Sequence, residues 1–174
     1  EAPIKLVEFA SLTCPHCGEF AEKSKTELRK TFVDSGRVSF EFRNYVRDAI
    51  DLTAAQLTRC AAPQSFFALT EQVFAQQDAL LARLQTQGAQ LQPLLELPEN
   101  QRYVQLAEAT GLTEFFAGRG IARDQASACL AKGADATALA NQSGDQGKQY
   151  KITGTPTFMI NGEARKGRWL IATD

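Results

Sequence analysis

The sequence lacks the features that mark membrane-spanning and nucleic-acid-binding chains. No apolar run approaches the roughly 18 residues that a transmembrane helix needs. The 19 Lys and Arg residues are balanced by 20 Asp and Glu residues, for a net charge of −1. Without a basic excess, nucleic acid and anionic membranes are disfavoured as partners. Repeats and low-complexity linkers are also absent, so the 174 residues predict one domain, or one domain with a large insertion.

Histidine and paired cysteines are scarce, which limits the metal sites that the chain could build. The single histidine, His16, lies between Cys14 and Cys17 in the one Cys-x-x-Cys motif, whereas Cys60 and Cys129 stand alone in helical segments. Zinc ligands usually come as pairs at short spacing, and no second pair is present. We therefore predict no metal and no other cofactor, and we expect the chemistry to come from the cysteine pair itself.

The first part of the chain predicts a β-α-β unit. Residues 4–10 (IKLVEFA) and 38–46 (VSFEFRNYV) alternate loosely between apolar and polar side chains, as strands do. Residues 18–32 lie between them and carry a helical pattern. Two strands joined in this way are expected to be parallel and connected by a right-handed crossover.

The middle of the chain predicts a block of helices. Residues 51–149 are dominated by Ala, Leu and Gln, and strand-like alternation disappears. A first helix is expected to begin at Asp51 and to run past Cys60. A continuous helical spacing of apolar residues then covers residues 65–85.

Strand character returns near the end of the chain. Residues 155–161 (TPTFMIN) predict a strand, and Asn161-Gly162 is a strong hairpin signal that predicts a return strand over residues 164–170. The strand is preceded by Thr155-Pro156, a candidate cis peptide bond, although a proline there could also be an ordinary edge-strand residue.

The beginning of a helix suits the chemistry of the CPHC segment. Cys14 lies near the helix N-terminus, where free backbone N–H groups and the helix dipole stabilise a thiolate. Pro15 suits the first helical turn because its missing N–H would be unpaired there. His16 can add a positive charge or a donor to the Cys14 sulfur, and Cys17 is close enough to resolve a mixed disulfide. The alternatives are half of a zinc site, a structural local disulfide, and a surface histidine.

The segments VEFASLTCPHCGEF and GTPTFMING together resemble the DsbA family of thiol:disulfide oxidoreductases. The resemblance implies an α/β thioredoxin fold with an inserted helical domain. Residues 1–50 and 150–174 are expected to form the thioredoxin-fold domain, and residues 51–149 the insertion. It also implies a periplasmic location, donation of disulfides to newly exported or unfolded proteins, and reoxidation by a DsbB-like membrane partner. We expect a monomer.

The resemblance assigns roles to individual residues. Cys14 is expected to be the attacking cysteine and Cys17 the resolving one. Thr155 and Pro156 are expected to bind the extended client chain, with Pro156 as the cis-proline. Glu8 stands six residues before Cys14, where the family often keeps a buried carboxylate for proton transfer. From the residues alone, Glu8 could equally be an edge-facing, solvent-exposed carboxylate.

Cys60 and Cys129 allow two interpretations. They could be separate buried thiols, because free cysteine behaves as a small apolar residue. The oxidising compartment that the CPHC resemblance implies favours a structural disulfide between them instead.

Other functions on the same pattern stay open. Thr155 stands where the best-known oxidising members have valine, which keeps a disulfide isomerase or reductase as an alternative. A peptide-binding, chaperone-like module is another alternative. The opening Glu1-Ala2-Pro3 has no basic or apolar leader, so we expect either a mature exported protein or a shortened chain. We also expect a further helix after the hairpin, with Thr173 or Asp174 as its N-cap.

Overall fold

The central element of the fold is a four-stranded sheet. A computed structural model describes residues 2–165. The strands are β1 (Ile4–Ala10), β2 (Val38–Asn44), β3 (Thr157–Ile160) and β4 (Glu163–Arg165), in the spatial order β2-β1-β3-β4. β1 and β2 are parallel, whereas β3 is antiparallel to β1 and to β4. The expected β-α-β opening and the closing hairpin are therefore both present.

The crossover between β1 and β2 is longer than its helical pattern predicts. The first helix, α1 (Pro15–Thr26), begins with Cys14 as its N-cap, as the CPHC segment predicts, and three residues before the apolar pattern that starts at Gly18. It continues as a π-helical segment, Glu27–Val33. A π-helix has i→i+5 hydrogen bonds and therefore more residues per turn than an α-helix, but a segment of seven residues is too short for the hydrophobic pattern to show the difference. The chain then enters β2 next to β1.

Seven α-helices connect β2 to β3. They are α2 (Ala49–Leu57), α3 (Phe66–Ala75), α4 (Gln77–Leu95), α5 (Glu99–Thr110), α6 (Leu112–Ala117), α7 (Arg123–Leu130) and α8 (Gly133–Gln149). The helical block is thus where the sequence predicts it, although two of its boundaries differ from the expected ones.

The first boundary that differs is that of α2. This helix begins before Asp51 because the side chain of Asp48 accepts hydrogen bonds from the amides of Ile50 and Asp51 and caps the helix. It ends at Leu57, so the expectation that it runs past Cys60 is wrong. The backbone after Leu57 turns away before Pro63, which begins a short 3₁₀ segment.

The second difference is a break inside the predicted helical run over residues 65–85. Gln76 leaves the helical conformation, with φ −111° and ψ 12°, and separates α3 from α4. Apolar side chains keep helical spacing on both sides of the break, so periodicity does not reveal it.

The hairpin turn follows the predicted chemistry. Asn161 and Gly162 both have positive φ, 51° and 86°, as the tight turns between antiparallel strands require. The side-chain oxygen of Asn161 also accepts a hydrogen bond of 2.8 Å from the amide of Lys5, which attaches the turn to the beginning of β1. Most of the predicted return strand over 164–170, and the predicted cap at Thr173 or Asp174, lie outside the described residues.

A single large apolar cluster joins the sheet to the helical block. It includes the end of β1, the two cysteines of the CPHC segment and buried residues of the inserted helices, among them Leu57, Val73, Leu106 and Phe116. A smaller cluster of Val7, Phe9, Ile152 and Met159 covers the other side. The inserted helices therefore share a core with the cysteine pair. The division into two domains at the expected bounds stays a prediction.

The remaining two cysteines lie within the helical block. Cys60 follows α2 and Cys129 lies in α7, and the structure joins them in a disulfide with a Cα–Cα distance of 6.0 Å. The bond spans 69 residues of sequence and ties α7 to the end of α2.

We expect the double substitution Cys60→Ala and Cys129→Ala to lower the free energy of unfolding. Losing a cross-link over a loop of 69 residues costs about 4 kcal/mol on the chain-entropy argument. Urea unfolding of wild type and variant with the Cys14/Cys17 pair reduced measures the difference. Cys14→Ala/Cys17→Ala is the matched control, because that pair is reduced in the structure and forms no cross-link. A loss below about 1 kcal/mol would contradict the expectation.

Candidate active site

The CPHC segment is located where β1 passes into α1. Cys14 has an extended backbone and is the N-cap residue, and Pro15 is the first helical residue. The Cys14 carbonyl accepts hydrogen bonds from the amides of Cys17 and Gly18, at 3.0 and 3.1 Å, so the helix begins at this residue. Cys14 is 3% exposed and Cys17 0%, which makes Cys14 the sulfur that a client can reach first.

The Cys14 sulfur faces the loop that precedes β3. Its thiol donates a hydrogen bond of 3.3 Å to the carbonyl oxygen of Thr155, and the Thr155-Pro156 peptide is cis. Burial alone raises the pKa of Cys14, but hydrogen bonds from the side chains of Thr155 and Cys17 and from the amides of Cys17 and His16 outweigh it and hold the pKa below the ordinary value. The structure thus brings Cys14, Thr155 and Pro156 together.

Cys17 has the opposite character. Its complete burial raises the pKa of its thiol far above the ordinary value, and a negative charge on Cys14 raises it further. The backbone amide of Ser11 lowers the pKa of the Cys17 thiol and partly opposes this increase. Cys14 therefore ionises first and Cys17 keeps its proton, which separates an attacking thiolate from a protonated reserve thiol.

Glu8 lies in β1 and is only 3% exposed. Its register partners are Phe42 on β2 and Phe158 on β3, and its Oε1 atom has no hydrogen-bond partner. Burial, followed by the charge of Cys14, raises the pKa of Glu8 to about 8. Glu8 is therefore a desolvated acid and not the solvent-exposed carboxylate of the alternative interpretation.

His16 lies on the outside of the site. Its imidazole is 81% exposed, and Nδ1 is 3.8 Å from a carboxylate oxygen of Glu19. The contribution of His16 to lowering the pKa of Cys14 comes from its backbone amide. A role for the imidazole stays a prediction.

Two residues that sequence reasoning missed lie directly against the site. Asp51 accepts a hydrogen bond of 2.8 Å from the amide of Leu12, and Gln77 donates to the carbonyls of Leu12 and Cys14 at 2.8 and 3.0 Å. Both belong to the helical block, 39 and 65 residues away from Leu12 in sequence. An acidic residue in the first turn of a helix is common for reasons of capping and dipole, so the sequence carried no signal of this contact.

Neither a metal-binding cluster nor a membrane-spanning helix is found in the described part of the chain. Within residues 2–165, no group of three or more His, Cys, Asp and Glu side chains could hold a metal ion. None of the helices in the same range combines the length and the apolar character needed to cross a bilayer.

Sequence comparison finds relatives over the whole chain. The family model described as thioredoxin matches residues 1–169. A Rickettsia conorii protein named as a protein-disulfide oxidoreductase is 27% identical over 169 residues, which cover 97% of this chain and 53% of that protein. The chain spans about half the length of the Rickettsia proteins that it matches.

Solved structures give the same result. The protein-disulfide isomerase of Novosphingobium aromaticivorans matches with a TM-score of 0.91 and 34% identity, over 96% of this chain and 86% of that one. Alpha-DsbA1 of Wolbachia pipientis matches with a TM-score of 0.72 and 25% identity, over 92% and 70%. These likenesses confirm the predicted fold, a thioredoxin fold with an inserted helical domain, and the resemblance to DsbA-family proteins.

We expect Thr155→Val to raise the pKa of Cys14. Valine keeps the shape of threonine but removes a side-chain hydrogen bond that stabilises the thiolate. A pH titration of thiolate absorbance in the reduced protein measures the change. Thr157→Val is the matched control, because the Thr157 hydroxyl bonds the carbonyl of Gly154. An unchanged pKa in the Thr155 variant would show that its hydroxyl has no effect on the sulfur.

Proposed function

We propose, since the chain belongs to the thioredoxin family, that it is a thiol:disulfide oxidoreductase that donates disulfides to exported proteins. The observation that supports this most directly is the contrast between its two active-site sulfurs. Hydrogen bonds hold the pKa of Cys14 below its ordinary value, whereas burial holds that of Cys17 far above. A stabilised Cys14 thiolate favours the reduced enzyme, which makes the Cys14–Cys17 disulfide a stronger oxidant.

The proposed reaction begins with the oxidised enzyme. A client thiolate attacks the Cys14 sulfur, a client–Cys14 disulfide forms, and the Cys14–Cys17 bond breaks with its electron pair on Cys17. A second client thiolate then attacks the client sulfur of the mixed disulfide, and Cys14 leaves as a thiolate. The client dithiol has lost two electrons and the enzyme disulfide has gained them. The low pKa of Cys14 makes it a good leaving group in the second step.

Glu8 is the proposed proton carrier for Cys17. The Cys17 thiolate formed in the first step is strongly basic because its surroundings are apolar, and it needs a proton. Glu8 has a pKa of about 8 and is electrostatically coupled to the cysteine pair through Cys14, so it can hold a proton near neutral pH and release it. In the reverse direction, when the enzyme is reoxidised, ionised Glu8 takes the proton of Cys17.

The loop before β3 is the proposed client-binding surface. Thr155 and Pro156 lie next to the Cys14 sulfur at the beginning of β3. An extended client that pairs with this loop backbone to backbone needs no particular side chains, which suits an enzyme with many clients. We further propose a periplasmic location, reoxidation by a DsbB-like membrane partner, and action as a monomer.

Disulfide isomerisation is the second candidate function. Threonine at position 155 and the similarity to a protein named as a disulfide isomerase both favour it. Isomerisation needs the cysteine pair mainly in its reduced form, whereas donation needs the oxidised form.

The reduction potential of the Cys14/Cys17 pair tests the proposed direction. Equilibration with glutathione buffers, followed by alkylation and mass spectrometry, gives the potential. We expect a value well above the roughly −270 mV of thioredoxin, together with oxidation of a reduced, unfolded client. A potential near that of thioredoxin would indicate a reductase. If the wild type shows no thiol–disulfide exchange and Cys14→Ala/Cys17→Ala still binds the client, the chain would be a peptide-binding module.

We expect Glu8→Gln to slow the deprotonation of Cys17 during reoxidation. The rate should fall by about a hundredfold, the low end of general acid–base effects, and its rise with pH around 8 should disappear. Stopped-flow oxidation at several pH values measures this. Glu41→Gln is the matched control, because Glu41 pairs with Lys5 and Arg43 at the surface of β2. Identical pH profiles for wild type and Glu8→Gln would remove Glu8 from the mechanism.

Stability shows separately whether the Glu8 variant folds. The pKa of Glu8 is raised from 4.5 to about 8, so between these values the folded chain holds a proton that the unfolded chain has released. Wild-type stability should therefore fall as pH rises through that window. Glu8→Gln should fold and show a weaker fall over the same range.

A further inference from the structure

The loop between β1 and α1 is held by side chains from the helical block. Leu12 lies at its centre, and both polar atoms of its backbone are bound. Its amide donates to Asp51 Oδ1 at 2.8 Å, and its carbonyl accepts from Gln77 Nε2 at 2.8 Å. The same Gln77 nitrogen reaches the carbonyl of Cys14 at 3.0 Å. The position of the Leu12 backbone is therefore set by side chains of α2 and α4.

These contacts are closed to water. Leu12 and Asp51 are both 0% exposed and Gln77 is 3% exposed. Because no solvent can replace a lost partner, a buried amide that loses its acceptor is left unsatisfied. The three groups consequently fix one another in a single arrangement.

Burying the Asp51 carboxylate behind this loop costs folding free energy. Its second oxygen, Oδ2, accepts from the amide of Arg47 at 3.0 Å, and no ion pair identified among residues 2–165 includes it. Burial raises the pKa of Asp51 to about 6, so above that pH the carboxylate is charged and accepts with both oxygens. Desolvating a charge without a cation opposes folding. The cap of α2 is supplied by Asp48, so capping does not explain the residue.

The loop between β1 and α1 affects the Cys17 sulfur more directly than the Cys14 sulfur. The backbone amide of Ser11, immediately before Leu12, acts on the Cys17 thiol and lowers its pKa. The hydrogen bonds that lower the pKa of Cys14 come instead from α1 and from Thr155. A displacement of Leu12 would therefore weaken a donor to Cys17, whereas the donors that lower the pKa of Cys14 lie outside the Ser11–Leu12 segment.

We propose that Asp51, assisted by Gln77, is a positioning residue for thiol–disulfide exchange, because it holds Leu12 so that the Ser11 amide remains on the Cys17 sulfur. This inference rests on the proposed exchange function. When a client thiolate attacks Cys14, the client–Cys14 bond forms, the Cys14–Cys17 bond breaks, and the electron pair departs on Cys17. The Ser11 amide stabilises that charge as it develops.

Asp51→Asn tests the inference with little change in shape. The amide has one acceptor oxygen where the carboxylate has two, so either Leu12 or Arg47 loses its partner. Two rates are measured at a pH of about 8, above the pKa of about 6. The first is reduction of the oxidised pair by glutathione, followed by acid quench and mass spectrometry. The second is alkylation of Cys14 by iodoacetamide in the reduced protein.

The two rates should respond differently. Reduction by glutathione should slow about threefold to tenfold, the effect of one weakened hydrogen bond, while alkylation of Cys14 stays within about twofold. Thr53→Val is the matched control, since Thr53 is buried in the same helix and its hydroxyl bonds only the carbonyl of Ala49 among the contacts described. This control should alter stability in urea without separating the two rates.

A second variant covers the case in which Asp51→Asn does not fold. Gln77→Met keeps the length of the side chain but releases the carbonyls of both Leu12 and Cys14. It should also slow reduction more than alkylation, because no donor that lowers the pKa of Cys14 is removed. The positioning role is wrong if wild type is reduced by glutathione and the folded variants show the same reduction and alkylation rates as wild type. It is also wrong if the two rates of the variants fall by the same factor. If wild type itself is not reduced by glutathione, the proposed function fails first.

Discussion

The difference in environment between two sulfurs three residues apart is the constraint on which the site depends. Cys14 is located at the open end of a helix with donors around it, whereas Cys17 is one turn further in and fully buried. Helix geometry supplies part of the first condition, because unpaired amides face the N-terminus, and the side chains of Thr155 and Cys17 supply the rest. The second condition requires a core behind the helix, and the inserted helices supply much of it. The insertion is thus part of the redox centre and not an appendage to it.

Buried polar groups around this centre carry a cost that the rest of the fold offsets. Glu8 and Asp51 are both carboxylic acids inside the protein, and burial raises the pKa of each. Neither adds to the stability of the fold at neutral pH as a well-packed apolar residue would. The disulfide in the helical block and the continuous apolar cluster stabilise the same region. Stability and reactivity are therefore supplied by different residues of one core.

Sequence patterns predicted those elements whose structure depends on neighbouring residues. Strand β1 and the turn at Asn161-Gly162 were both evident from alternation and turn chemistry. The break at Gln76 was not, since helical spacing continues across it. Of the site, the motif located the cysteine pair and the loop at Thr155. The contacts of Asp51 and Gln77 with that loop join residues far apart in sequence, and no local pattern encodes such a meeting.

The disulfide between Cys60 and Cys129 has a consequence for how each copy of the chain matures. Four thiols can be joined into two bonds in three ways, and only one of these combines the native structural bond with a CPHC disulfide. The CPHC thiols are three positions apart, whereas 69 positions separate the structural pair. Because shorter loops close at lower entropic cost, the Cys14–Cys17 bond is favoured in the unfolded chain. The Cys60–Cys129 bond requires α2 and α7 to fold first, so that its two sulfurs come together. A chain proposed to introduce disulfides into others is itself a product of disulfide formation.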